Sequence, residues 1–502
     1  MEQIRIVLDK DYILGDVDRR LFGSFVEHMG RVVYTGIYEK DHPTADENGF
    51  RRDVAKRVKD MGVTCIRYPG GNFVSNYHWM DGIGPAEKRP KKRDLAWKSI
   101  ETNEVGIDEF MKWANTYDLE PIMAVNLGTG TLQEAVNLVE YCNSTVGSYY
   151  SDLRAENGHK DPYGIKTWCL GNEMDGEWQI GHKTAAEYGR IAHEMGKAMK
   201  LMDPSIQLVV CGSSMSRNAT FGTWEREVLS QTYEEADYIS LHQYYGGQEK
   251  GTAGFLAQSL DMERYIDLVC GIADLEKTKR KSKKTLEISF DEWGVWSTSD
   301  TEVQKWVEEH PWQSAPPLGE QIYSMEDALL FASMMMVLLR KCSRVKIGCQ
   351  SLLTNISSCI MTEKGGGTWV QPIYHVFRMI ACYGAGQVLD ARYKGPHYDT
   401  SDFTEVPVVD SLCVYREEEQ MLTCYFVNRT GIRQQVELET HGLLAQEVAE
   451  TAVLTAKDIK QTNYEDHEAV KPYPADFVRL QQGKAVVTLE PYAFQMVRIT
   501  LK

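Results

Sequence analysis

Thr167-Trp168-Cys169-Leu170-Gly171-Asn172-Glu173 is a short apolar run that ends abruptly in an acid, and Leu286-Glu287-Ile288-Ser289-Phe290-Asp291-Glu292-Trp293 repeats its shape. A parallel strand buried on both faces reads as such a near-continuous apolar run. Working outward, comparable runs occupy 21–25, 64–68, 121–126, 207–211, 238–242 and 345–349, which brings the set to eight. Between them lie stretches with apolar residues at helical spacing, among them 107–117, 185–202 and 325–341. Strand-helix alternation repeated eight times predicts a (β/α)8 TIM barrel over residues 18–380; an open doubly wound sheet is the alternative, since periodicity does not see closure.

After about residue 385 the rhythm becomes short alternating runs at 411–416, 421–428, 434–439, 450–455, 484–489 and 494–501. Alternation with intervening turn residues predicts a C-terminal antiparallel β-sandwich over 381–502. Residues 4–8 alternate in the same way, so 1–17 is expected to supply a strand to that sandwich before the chain enters the barrel. No Gly/Ser-rich or Pro-rich linker divides the two halves, so rigid packing is expected. The basic run from Lys277 to Lys284 reads as a solvated helix end.

Composition narrows the function. Of 502 residues, 43% are hydrophobic and 25% charged, an ordinary globular balance, and the net charge is −17. Such a surface disfavours phosphate backbones and anionic membranes, so neither nucleic acid nor membrane is an expected partner. The longest apolar run, 328–339, is well short of the ~20 residues that span a bilayer and reads as a buried helix. The first residues run into Asp9, Lys10 and Asp11 without an apolar core, and the eleven cysteines show no framework spacing. Both features lead to the expectation of a reduced, cytoplasmic protein. No Cys-x-x-Cys occurs and His193-Glu194 lacks a second His at metal spacing, so neither a metal site nor a cofactor is expected.

In a (β/α)8 barrel the chemistry sits where strands end. Glu173 follows the fourth run and Glu292 ends the seventh. Two carboxyls held across a cleft are the equipment of glycoside hydrolysis, one as proton donor and the other as nucleophile or base. The strings Arg67-Tyr68-Pro69-Gly70-Gly71-Asn72-Phe73, Trp97-Lys98-Ser99-Ile100-Glu101-Thr102-Asn103, Gly171-Asn172-Glu173-Met174-Asp175-Gly176 and Phe290-Asp291-Glu292-Trp293 resemble glycoside hydrolase family 51, mainly α-L-arabinofuranosidases.

That resemblance implies a retaining, exo-acting hydrolase that takes a small carbohydrate substrate and forms homo-oligomers, hexamers or smaller. It implies Glu173 as general acid/base, Glu292 as nucleophile and Asn172 on the sugar 2-OH. Glu27 and Asn72 would bind furanose hydroxyls, Tyr244 would orient the nucleophile, and Trp296 would wall the sugar. Trp97 would form an apolar platform toward the leaving group. Structural alternatives exist for each: an ion-pair partner for Glu27, a turn residue for Asn72, core aromatics for Tyr244 and Trp296, and an exposed loop for Trp97 beside Lys91-Lys92-Arg93. His242 is expected to support the site through hydrogen bonds.

Four positions depart from the family pattern. Gly294 stands where Asn is usual, Ser297 where an aromatic is common, and Tyr68 where Trp is usual. At the end of the eighth run, the family's amide falls on Leu352, with Gln350 a candidate replacement from one layer deeper. These departures leave open a preference shifted to another furanoside, such as apiofuranoside or galactofuranoside. Other readings are weaker. Gly128-Thr129-Gly130 lacks the third glycine of a dinucleotide site. A non-catalytic carbohydrate-binding protein does not need both acids, and a hydrolase of glucan or xylan type would need an open cleft.

Overall fold

The eight apolar runs form the staves of a closed parallel barrel in the computed structural model of the chain, which describes residues 3–296, 300–481 and 484–502. Its strands are β1 (Gly23–Phe25), β2 (Cys65–Tyr68), β3 (Glu120–Val125), β4 (Thr167–Leu170), β5 (Gln207–Cys211), β6 (Tyr238–Tyr245), β7 (Glu287–Val295) and β8 (Val345–Gln350). β8 pairs with β1, which closes the ring and removes the open-sheet alternative. Closure leaves no edge strand to protect, so β2 and β4 can be buried along their whole length. The first stave is shorter than its sequence run, because Leu21 and Phe22 close a 3-10 turn whose start Asp18 caps.

The helices between staves carry their own start signals. Thr184 and Glu187 form a capping box on Ala185–Met202, and Ser324 with Asp327 does the same for Met325–Arg340. Met325–Arg340 contains the longest apolar run and is buried along nearly all its length, because one side meets the barrel and the other meets the sandwich. The basic run falls at the end of helix Ser259–Arg280 and just beyond it.

The sandwich has a five-stranded sheet, ordered Arg392–Lys394, Ile4–Asp9, Gln434–His441, Lys484–Leu489 and Val478–Gln481. Its six-stranded partner runs Ile13–Asp16, Gln387–Leu389, Val409–Arg416, Met421–Asn428, Phe494–Leu501 and Ala445–Leu454. Pairing is antiparallel except between Ile4–Asp9 and Gln434–His441, which run parallel. Ile4, Ile6 and Leu8 enter the core between the sheets while Arg5 points out, the period-two pattern of a half-buried strand.

Candidate active site

Every acid singled out in the sequence lies at the carboxyl-terminal mouth of the barrel, and the backbone is shaped to bring them together. After β4 the chain turns through left-handed conformations at Gly171 (φ +86°) and Glu173 (φ +46°). This region is uncommon for a residue with a Cβ and is held by its surroundings. In β7 the pairing slips: Ser240 of β6 faces Ser289, but His242 faces Glu292. A bulge at a barrel rim re-aims side chains. Here it lets the adjacent Asp291 and Glu292 both reach His242.

Glu173 Oε1 lies 3.0 Å from His242 Nδ1, and its other oxygen accepts a 2.7 Å bond from the Trp178 indole N–H. Glu292 accepts from the Tyr244 hydroxyl at 2.7 Å on one oxygen and from Arg67 at 3.1 Å on the other, which is also 3.5 Å from His242 Nδ1. The far nitrogen of His242 is 3.0 Å from Asp291 Oδ1. One oxygen from each carboxyl and the His242 nitrogen lie within 4.8 Å of one another. Three such donors could surround a metal ion, but the Arg67 cation already occupies one Glu292 oxygen. The arrangement reads as a carboxyl pair organised by hydrogen bonds.

Charge follows burial and neighbours. Burial pushes Glu292 up, as does Glu173, while His242, Arg67 and Tyr244 pull it back toward the ionised form. Burial disfavours charge on His242, yet Glu292, Asp291 and Glu173 raise it to about 10. Burial also opposes Asp291, which Arg67 and His242 nevertheless hold below the usual carboxylate range.

Glu27, just beyond β1, is buried under N–H groups instead of beside a cation: Phe73 donates from its backbone at 2.9 Å and Trp97 from its indole at 2.8 Å. Burial, with Glu292 nearby, pushes it up to about 8 against those two bonds. Two glycines make the approach possible. A Cβ on Gly70 (φ +117°) would stand 2.3 Å from the Glu27 Cβ, and one on Gly71 would stand 2.8 Å from Glu27 Oε2. Asn72 follows them and accepts a 3.2 Å bond from Asn172, whose own oxygen takes Arg67 Nη2 at 2.6 Å. Trp296 lies edge-on to Tyr244 at 5.6 Å between ring centres. Trp97 sits on the Glu27 side of the mouth, and the aromatic beside Glu173 is Trp178.

Two of the departures have a structural setting. The hydroxyl of Tyr68 lies 3.0 Å from His28 Nε2, a contact that uses its phenol. At Gly294 a Cβ would come within 3.3 Å of the Ser351 carbonyl, so the ends of β7 and β8 close up where the family carries a side chain. Ser297 lies outside the described residues. Gln350 does not supply the missing amide. Its nitrogen donates to the Ser351 and Ser357 carbonyls at 2.7 and 2.8 Å, which ties it into the turn after β8. Leu352 is buried.

Sequence reasoning passed over Arg67, Trp178 and Ser351, whose hydroxyl bonds that of Tyr244. Arg67 carried a signal, since an arginine inside a buried strand is rare unless paired. Trp178 and Ser351 carried none, because their partners arrive from other elements.

Comparison with known proteins agrees with this geometry. A family model described as an α-L-arabinofuranosidase 1 domain matches residues 57–265, and one described as an α-L-arabinofuranosidase C-terminal domain matches 291–493. The chain is 50% identical to an intracellular exo-α-(1→5)-L-arabinofuranosidase of Bacillus subtilis over 99% of both chains. It is 41% identical to an exo-α-(1→6)-L-arabinofuranosidase of Bifidobacterium longum over 99% of this chain and 98% of the other. Among solved structures, a family 51 α-L-arabinofuranosidase from Bifidobacterium longum superposes with a TM-score of 0.94 at 41% identity, covering 99% of this chain and all of that one.

Proposed function

This chain belongs to glycoside hydrolase family 51, the α-L-arabinofuranosidases, and on that premise we propose that Glu292 is its nucleophile and Glu173 its general acid/base. The substrate is a carbohydrate, and the reaction is release of a terminal α-L-arabinofuranosyl residue with retention at the anomeric carbon. The observation that carries the reading is the carboxyl pair. One oxygen of each carboxyl lies within 4.8 Å of one of the other, nearer to the ~5–5.5 Å spacing of retaining enzymes than to the ~6.5–9.5 Å that leaves room for a water in inverting ones.

Glu292 attacks the anomeric carbon while Glu173 protonates the departing oxygen. Glu173 then takes a proton from the water that opens the ester. Asn172, Asn72 and Glu27 line the sugar side, and Trp178 stands beside Glu173 where the leaving group exits. The action is at chain ends. The hairpin Lys92–Asp94/Ser99–Glu101 bonds to the segment after β7, Ile100 N–H to the Gln313 carbonyl at 3.0 Å, and the Trp97 indole between its strands reaches Glu27 at 2.8 Å, which bounds the sugar side of the site. Like the relatives named as intracellular, the protein works inside the cell, on imported oligosaccharides. It assembles as a homo-oligomer of up to six copies, which light scattering measures.

Two measurements test this reading. NMR of the first product formed from an aryl α-L-arabinofuranoside is expected to show the retained anomer, and the inverted anomer would refute it. Glu292→Ala is expected to abolish turnover. Glu173→Ala is expected to lose about 100-fold or more on substrates with poor leaving groups and far less on activated ones. Equal losses on both would reverse the assignment of Glu173.

A second reading, relaxed choice among furanosides, is favoured by the end of β8, where Leu352 is apolar and the Gln350 amide is spent on carbonyls. Arabinofuranoside turnover far above that of apiofuranosides and galactofuranosides would remove it.

A further inference from the structure

His242 touches both carboxyls of the pair. Glu173 bonds His242 and Trp178, and Glu292 bonds Tyr244 and Arg67 and lies 3.5 Å from the same His242 nitrogen, so among the described residues the imidazole is the shared neighbour. The double displacement moves one negative charge back and forth between these carboxyls. In the first step Glu292 forms an ester bond to the anomeric carbon, the bond to the leaving oxygen breaks, and Glu173 gives that oxygen its proton; the charge passes from Glu292 to Glu173. In the second step water adds at the same carbon, Glu173 takes its proton, the ester breaks, and the charge returns. Arg67 and Tyr244 attend only the Glu292 end of this traffic, and Trp178 only the Glu173 end.

We propose that His242, held as an imidazolium by Asp291, is the shared counter-charge of the two carboxyls, paired with Glu292 before the first step and with Glu173 in the glycosyl-enzyme. Its placement serves both states without movement, 3.5 Å from one oxygen and 3.0 Å from the other. The clamp on its far side is built for that purpose. Asp291 is fully buried, receives His242 Nε2 at 3.0 Å, and is backed by Arg67 at 3.9 Å and by the Cys169 thiol at 3.6 Å. The charged groups that face the imidazole are Glu173 from the turn after β4 and Asp291 and Glu292 from β7; behind them, Arg67 of β2 contacts Asp291 and Glu292, the Cys169 thiol of β4 contacts Asp291, and Tyr244 bonds Glu292. Negative groups outweigh Arg67, which agrees with a ring charged through neutral pH. His242 is thus a positioning residue acting through the two carboxyls, a role that rests on the acid/base and nucleophile assignments above.

The test compares the full-length wild type with His242→Gln, with Asp291→Asn as a second route to the same loss of charge. Aryl furanosides with poor leaving groups report the first half-reaction, and activated ones at saturation report the second. Loss of a cation shared by both steps is expected to slow each by about 100-fold. It is also expected to move both limbs of the kcat/KM bell to higher pH, since each carboxylate loses an attraction that favoured its ionised form. A purely structural histidine would lower the bell without moving it. The proposal is overturned if either variant that folds slows only one half-reaction or leaves the limbs in place. Azide rescue of Glu173→Ala separates the two ideas: failed rescue counts against the acid/base assignment, while rescue with unshifted limbs in the His242 variant counts against the shared counter-charge alone.

Discussion

Glu27, proposed to bind sugar hydroxyls, costs the fold stability through its burial. Its carboxyl is raised from 4.5 to about 8, so the folded chain holds that proton more tightly than the unfolded chain does. Stability therefore falls as pH rises from about 4.5 to about 8 and levels off above. Glu27→Gln keeps the shape and removes the buried charge. It is expected to raise Tm by roughly 2–6 °C near pH 8 and by much less near pH 5, while kcat/KM drops. Melting curves across that range check the slope, and a variant gain independent of pH would show that ionisation is not the cause. Gln350 is the opposite case, an amide that serves structure alone. Gln350→Leu would leave the Ser351 and Ser357 carbonyls unsatisfied and cost about 1–3 kcal/mol in denaturant unfolding. At this scale the sequence was legible where a residue type is out of place in its surroundings, as Glu173 and Glu292 are at the ends of apolar runs. It was silent on Trp178 and Ser351, ordinary residues given meaning only by what the fold brings beside them.

The element that shapes the mouth is the hairpin after β2. It reaches past the ends of β1 and β8 to the segment after β7, where Trp312 N–H bonds the Lys98 carbonyl at 2.6 Å and Arg93 lies 4.5 Å over the Trp312 ring. Lys91-Lys92-Arg93 is exposed, yet the hairpin is anchored at its far end and carries Trp97 to Glu27. The Arg93–Trp312 contact is worth about 0.5–1 kcal/mol at an exposed site. Trp312→Ala is accordingly expected to raise KM for short arabino-oligosaccharides about 2–5-fold with kcat little changed. A matching fall in kcat would mean that the arch takes part in the chemical step. Such arches are hard to read in advance, because their partners are two or more staves away. The staves themselves were legible, since burial on both faces demands apolar runs. Missed strands such as Ile13–Asp16 and Arg392–Lys394 are short edge strands with exposed side chains, which leaves them no apolar pattern to show.

Across the whole molecule, the sandwich braces the side of the barrel that carries Glu292, the proposed nucleophile. Helix Ser259–Arg280 leads into β7 and helix Met325–Arg340 leads into its neighbour β8. Both are tied to the sandwich through one carboxylate. Asp410 takes Arg340 at 2.9 Å and Arg429 at 2.8 Å, and Arg429 also donates to Ser259 at 3.0 Å. Burial opposes the charge on Asp410, but the two guanidiniums hold it below the usual carboxylate range. A carboxyl depressed in the folded state contributes stability that is complete above its unfolded value of 3.8 and is lost as pH falls through the folded one. Asp410→Ala strands the buried Arg429 cation and leaves Arg340 with Glu263 at 3.9 Å, which costs about 3–5 kcal/mol. The variant is expected to melt well below the wild type at pH 7, with the gap narrowing as pH falls below 3.8. Well below its melting point it is expected to keep kcat within about 2-fold, because the bonds around Glu173 and Glu292 do not pass through Asp410. A gap unchanged at low pH would assign the loss to packing, and a fall in kcat that tracks the fall in Tm would show that the brace also sets the geometry of the site.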